Sequence, residues 1–256
     1  MKHKFSLNYD KKIVPKRMNP ELSEKDEKDL KFFLEHGYLV VDDALNTDEV
    51  NNIREAFNDT FKKLDNVKHI EVGLLEYDKR FLKLLDNEIV IKKIKSILGN
   101  CIQLHSATAR LCKPGEPNQI WHRDGPWPVD PAGTPFGSIP GQVNCGYYLD
   151  ELNLDNGAFA LVPGSHKVKL DIPREDFDYP DQKYLFAKPG QAILFSGWMY
   201  HRGMGNKSGS DRRVCLMCYQ NAWIKSREDF NGPVALELKK NGSDEQKLLL
   251  GSADKW

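Results

Sequence analysis

Apolar residues in the first hundred positions recur with a helical period. In "SEKDEKDLKFFLEHG", Ser23 stands where an N-cap would, Asp26 occupies the capping-box position, and Gly37 provides the stop. The spacing predicts a helix between them. "YLVVDDAL" reads as a short strand, and Asn46 caps a second helix whose stripe is Val50, Ile53, Phe57 and Leu64. "NEIVIKKIKSILGN" repeats the pattern with Val90, Ile91, Ile94, Ile97 and Leu98, and stops at Gly99. From residue 101 the texture changes to short β-rich runs between turn signals: "CIQLHSATARLC", "NQIWHRD", "QVNCGYYLD", "AFALV", "QAILFSG" and "RRVCLMCYQNAW". Many short strands punctuated by Gly and Pro predict a sandwich or barrel, with the helices covering one outer face. The expected organisation is a single domain over residues 1–256. Its helical part runs from about 22 to 100, its β-core from about 101 to 222, and a C-terminal extension follows from about 223 to 256.

One connection breaks the rhythm. "GPWPVDPAGTPFGSIPG", residues 125–141, carries five prolines and four glycines. A structureless loop of this length in a compact domain is usually functional. It begins directly after Asp124 and is placed to lie over whatever that residue binds.

Composition narrows the classes of function. Lysine plus arginine and aspartate plus glutamate both number 37, so the formal charge is zero and no excess of basic residues points to nucleic acid. Hydrophobic residues at 40% and charged residues at 29% are ordinary for a globular protein. No apolar run suits a signal peptide or a membrane span, which makes the cytoplasm the expected location. The five cysteines are scattered and read as reduced and buried. Cys215 and Cys218 match C-x-x-C, but on a strand they face opposite sides.

The candidate chemistry centres on "IWHRD". On a strand, His122 and Asp124 point to one face and Arg123 to the other. Two donors make a weak site, so a third has to come from elsewhere. His3 is close to the terminus, and His36 and His69 read as surface residues of the helical half. His105 precedes the site on a neighbouring strand, and His166 sits in the turn "PGSHK". His201 ends the apolar run "GQAILFSGWMY" and is the best placed. A His-x-Asp pair with a distant His would form the two-histidine, one-carboxylate triad that suits non-haem Fe(II). The bland alternative is a hydrogen-bonded His–Asp pair at a strand end. Downstream, Arg212 and Arg213 open a buried strand, where a guanidinium is costly unless it meets an anion.

Together these segments resemble the phytanoyl-CoA dioxygenase family of Fe(II)/2-oxoglutarate-dependent oxygenases. The resemblance rests on "WHRD", on "DNGAFALVPGSHK" at 155–167 and on "PGQAILFSGWMYHRGMGNKSGSDRR" at 189–213. The last holds a histidine followed by Asn at +5, Ser at +7 and Arg at +11. The opening "FFLEHGYLVVDDALNTDEV" is also similar, so the likeness covers roughly residues 22–222. It implies a mainly β fold with flanking helices, a double-stranded β-helix (jelly roll, cupin-like) with the N-terminal helices packed on one face. It assigns His122, Asp124 and His201 to iron and Arg212 to the distal carboxylate of 2-oxoglutarate, with Ser208 assisting and Asn144 as a further polar contact. A one-residue shift of register would hand the arginine role to Arg213. The implied reaction is hydroxylation of an unactivated C–H bond, consuming O2 and 2-oxoglutarate and releasing succinate and CO2. Intact Asp124 speaks against halogenation, for which related enzymes replace the carboxylate by a small residue. The rival reading is a non-oxidative jelly-roll metal protein, a cupin-type isomerase or binding module.

For the substrate, Arg110 on a preceding strand and Trp127 on the long loop are the candidate contacts. No basic patch suggests docking of coenzyme A. The expectation is a free small molecule, with an anionic group if Arg110 points inward.

Overall fold

The computed structural model describes residues 20–124, 140–168 and 177–253. Trp127 and nearly all of the long loop lie outside these residues, so their proposed roles have no structural counterpart here. The first half is helical, as its periodicity predicts: α1 (Glu24–His36), β1 (Tyr38–Val41), α2 (Thr47–Lys63), β2 (His69–Ile70), α3 (Leu74–Tyr77), α4 (Leu82–Leu85) and α5 (Glu88–Leu98). Capping explains the boundaries. Ser23 and Asp26 form a reciprocal capping box, as do Asn46 and Glu49, and Gly37 closes α1 in the left-handed region at φ 84°.

The strands follow: β3 (Ile102–Cys112), β4 (Gln142–Tyr148), β5 (Phe159–Leu161), β6 (Lys183–Leu185), β7 (Ala192–Ser196), β8 (His201–Gly203) and β9 (Arg212–Asn221). Every pairing is antiparallel. A six-stranded sheet runs β1-β7-β4-β9-β3-β2 and a three-stranded sheet runs β6-β5-β8. These are the two sheets of a jelly roll, with helices on the outer face of the larger one.

Strand alternation divides that larger sheet into two environments. Ala107, Ala109 and Leu111 of β3, Val143, Cys145 and Tyr147 of β4, and Cys215, Met217 and Tyr219 of β9 share one core with the helices. The residues between them line a cavity enclosed by both sheets. Cys215 and Cys218 thus occupy opposite faces, and all five cysteines are free and buried. Two buried tyrosines bolt the layers together: Tyr147 and Tyr219 donate their hydroxyls to the carbonyls of Leu84 (3.3 Å) and Leu85 (2.8 Å).

One expectation needs correction. "NQIWHRD" makes no regular strand. It runs extended and, among the described residues, makes one isolated bridge, His122 to His201. β3 is not a uniform ladder, since its register with β9 shifts between Leu104 and Ser106. The segment after residue 223 is structured: α6 (Pro233–Asn241) and α7 (Asp244–Leu249) pack Ala235, Leu248 and Leu249 into the helix-side core. Glu76 accepts the backbone N–H groups of Val234 and Ala235 at the start of α6 (2.9 and 2.8 Å). No described helix is long and apolar enough to cross a membrane.

α1 is tied to α5 by charge. Lys93 Nζ lies 2.6 Å from Asp26 Oδ1 and 2.5 Å from Asp29 Oδ2, with Asp26 and Lys93 both buried. The Lys93 ammonium, aided by the Ser23 hydroxyl, holds the Asp26 carboxyl well below the usual range. A depressed carboxyl stabilises the fold fully above the unfolded value of about 3.9, and that stability is lost as pH falls through the folded value. Asp26→Asn should therefore lower the unfolding free energy by about 1.5–3 kcal/mol at pH 7. Urea melts of the two proteins should converge as pH drops below about 4; a gap independent of pH would refute the assignment.

Candidate metal centre

Two backbone hydrogen bonds build the site. His122 N–H donates to the carbonyl of His201, and His201 N–H returns one to the carbonyl of His122, each at 3.1 Å. Residues paired this way stand directly opposite and project to the same face. Asp124, two positions further along an extended segment, joins them, and its N–H is fixed to the carbonyl of Gly197 at 2.8 Å. The ligand atoms of His122, Asp124 and His201 all lie within 4.8 Å of one another. The two Nε2 atoms stand 3.5 and 3.3 Å from the Asp124 carboxylate oxygens.

Both imidazoles are turned the same way. His122 Nδ1 is 2.9 Å from the carbonyl of Ile120, and His201 Nδ1 is 3.0 Å from that of Met199. A carbonyl only accepts, so each Nδ1 carries a proton, and in the neutral ring the Nε2 lone pair faces the centre of the cluster. Asn144 Nδ2 donates to Asp124 Oδ2 at 2.7 Å and sets the carboxylate plane. Burial, then the neighbouring His201, pushes His122 down to about 4 despite Asp124. Burial opposes a charged His201, but the facing Asp124 outweighs it and the ring is raised. Burial likewise opposes ionised Asp124, yet His201 and the Asn144 amide hold it at about 2. At neutral pH the cluster therefore holds an ionised carboxylate beside a neutral His122.

Arg123 anchors the segment from behind. Its guanidinium donates to the carbonyls of Ser165 (2.8 Å) and Val168 (2.7 Å) and lies 4.0 Å from the ring centre of Tyr200. Ser165 in turn accepts the Tyr200 N–H at 2.9 Å. "PGSHK" is thus a clasp joining the segments that carry His122 and His201. His166 belongs to it and points away from the cluster, with Nε2 3.2 Å from the carbonyl of Leu34 on α1.

The three side chains open onto a cavity of about 220 Å³. Arg212 lines it, is 4% exposed, and has a buried Nε with no hydrogen-bond partner; no described carboxylate lies within ion-pair distance of it. Arg213 faces the other way, with Nη1 3.1 Å from Asp150 Oδ1 and Nε donating to Asn58 at 2.8 Å. Gly157 and Gly203 flank Arg212; a Cβ at either would meet the guanidinium at an ordinary 3.4–3.5 Å but would clash at 2.7 Å with the Met204 carbonyl oxygen or the Gln119 side-chain oxygen respectively.

The pattern of the phytanoyl-CoA dioxygenase (PhyH) family matches residues 33–214, most of the chain. The chain belongs to the PhyH family. Dioxygenase hkm4 of Aspergillus hancockii is 41% identical over 105 residues, which cover 40% of this chain but only 32% of that protein. A probable alpha-ketoglutarate-dependent hypophosphite dioxygenase of Stutzerimonas stutzeri is 27% identical over 240 residues, covering 75% of this chain and 78% of its own. Among solved structures, HygX from Streptomyces hygroscopicus with nickel and 2-oxoglutarate bound superposes with a TM-score of 0.68. That match covers 81% of this chain and 90% of HygX at 16% identity, a likeness of fold.

Other candidates of this PhyH chain fare differently. Asn144 lines the cavity and spends its amide N–H on Asp124. Ser208 does not line the cavity; its hydroxyl serves the turn, donating to Asn206 Oδ1 at 2.7 Å, because the Asn-x-Ser spacing closes a local hydrogen-bonded loop. Arg110 does line it, with Glu116 3.8 Å away. The surface reading of His69 was incomplete: it is exposed but stands at the cavity wall beside Arg110. Arg227 also lines the cavity and carried no signal in sequence, since it comes from an irregular segment after β9.

A buried guanidinium with no counter-ion costs stability. Arg212→Met should raise the unfolding free energy of the metal-free protein by about 1–3 kcal/mol, measured by urea denaturation. A destabilised variant would mean that Arg212 has a structural partner.

Proposed function

We propose that this protein is a non-haem Fe(II)- and 2-oxoglutarate-dependent oxygenase acting on a small molecule. His122, Asp124 and His201 would hold the iron, and Arg212 would receive the distal carboxylate of 2-oxoglutarate. The observation that carries this reading is one cavity containing both a converging N,N,O donor set and an uncompensated buried cation. The donors fit the metal, since two imidazole nitrogens and one carboxylate on one face suit Fe(II) and leave positions open. The guanidinium fits a planar carboxylate, with which it forms paired charge-assisted hydrogen bonds. A redox-neutral jelly-roll protein has no use for that second feature.

When bound, iron and 2-oxoglutarate together would supply the oxidation of a substrate C–H bond by O2, with release of succinate and CO2. The chain's contribution is positioning. The paired backbone of His122 and His201 would fix two donors, the Ile120 and Met199 carbonyls hold their rings in the binding tautomer, and Asn144 orients the third. Tyr148, Phe159, Phe195, Val214 and Leu216 give the cavity an apolar side that excludes water.

Under anaerobic conditions, Fe(II) and 2-oxoglutarate should give the weak visible charge-transfer band of the chelate with the intact protein. His201→Ala and Asp124→Gly should lose the band and succinate production. Arg212→Met should need about tenfold more 2-oxoglutarate to develop it. Absence of the band in folded wild-type protein, or full turnover in Asp124→Gly, would sink the reading.

A further inference from the structure

The cavity lining is of two kinds. Where β9 and the smaller sheet face it, Val214, Leu216 and Phe159 present hydrocarbon. On the neighbouring strand, β3 presents Ser106, Thr108 and Arg110 at alternate positions, with Thr108 beside Leu216 and Arg110 beside Val214 in register. β2 sets His69 directly beside Arg110 in register. The register shift between Leu104 and Ser106 brings His105 to the same side, where its Nδ1 accepts the N–H of Arg227 at 3.3 Å. Two guanidiniums, two imidazoles and two hydroxyls thus gather on one wall of a metal-type cavity.

Their charges are not matched. Arg110 has a buried Nε without a hydrogen-bond partner. Its nearest described carboxylate, Glu116 at 3.8 Å, is held more closely by Lys68 at 3.1 Å, so one anion serves two cations. Arg227 pairs with Glu71 at 2.9 Å, but both are half exposed and largely solvated. The carboxylate cosubstrate calls for one guanidinium, and Arg212 already stands unpaired for it. Arg110 remains as a second cation facing the cavity.

We propose that this wall is the substrate's anchor and that the substrate carries a terminal oxyanion, held by Arg110 with His69 and the β3 hydroxyls beside it, while its hydrocarbon part lies against the apolar lining. This rests on the oxygenase reading of the same cavity and adds the class of substrate to it. Burial lowers both His69 and His105, and the Arg110 and Arg227 charges act in the same direction on one or both. Near neutral pH these rings are hydrogen-bonding partners rather than further cations. Recognition then rests on the Arg110 charge with neutral donors beside it, suited to a carboxylate, phosphonate or sulfate. A cavity of about 220 Å³ suits a short chain behind that group.

The test uses the full chain loaded anaerobically with Fe(II) and 2-oxoglutarate. Pentanoate, pentylphosphonate and pentyl sulfate are titrated against pentanamide as the neutral control, following the charge-transfer band and the thermal midpoint. At least one acid should bind about tenfold or more tightly than the amide. Arg110→Met should erase that preference and Arg110→Lys should retain part of it, both with the 2-oxoglutarate titration within about twofold of wild type. Equal responses to acids and amide, or none to either, overturn the proposal. So does an Arg110→Met variant whose defect lies in 2-oxoglutarate binding, which would give Arg110 to the cosubstrate. If the band never forms in wild-type protein, the oxygenase reading fails first, and the thermal midpoints alone still report whether the acids are preferred.

Discussion

The reciprocal hydrogen bonds between the backbones of His122 and His201 are the constraint on which the site depends. They join two stretches far apart in sequence and make two histidines face each other across one bridge. Everything around them serves to keep that bridge in place. β8 is held on its other side by β5, with Leu161 opposite His201, and Arg123 fastens the segment of His122 to the clasp at Ser165. The imidazole tautomers then follow from carbonyls two residues back in each chain segment, so the chemistry of the rings is set by local backbone geometry.

The helical layer acts at a distance. It covers one face of the six-stranded sheet and takes up the apolar half of every central strand, leaving the other half free to be polar. A strand buried on both faces would ordinarily be hydrophobic throughout. Here β4 carries Gln142 and Asn144, and β9 carries Arg212, because the cavity gives polar side chains something other than hydrocarbon to face.

Much of this was legible in the sequence where the signal is local. Capping residues, helical stripes and the His-x-Asp spacing report geometry within a few residues of themselves, and the structure brings the three predicted donors together. The choice between Arg212 and Arg213 was not local. It turns on Asp150 and Asn58, which are distant in sequence and draw Arg213 to the outer side. His69 and Arg227 were illegible for the same reason, since pairing register and an irregular segment bring them to the cavity. The local bond of Ser208 was not legible either, because Asn-x-Ser closes a hydrogen bond within its own turn. α6 and α7 escaped notice because they are short and bury few side chains.

The shifted register at His105 has a consequence for how such a barrel can diversify. Beyond it, the positions that hold β3 to the helices and those that meet the cavity alternate without sharing contacts, separated by the thickness of the sheet. Exchanges at 106, 108 and 110 can therefore accumulate under selection for a new ligand while the folding core stays as it is. One strand supplies both a packed foundation and an adaptable surface, which lets a lineage change its chemistry of recognition without first acquiring spare stability.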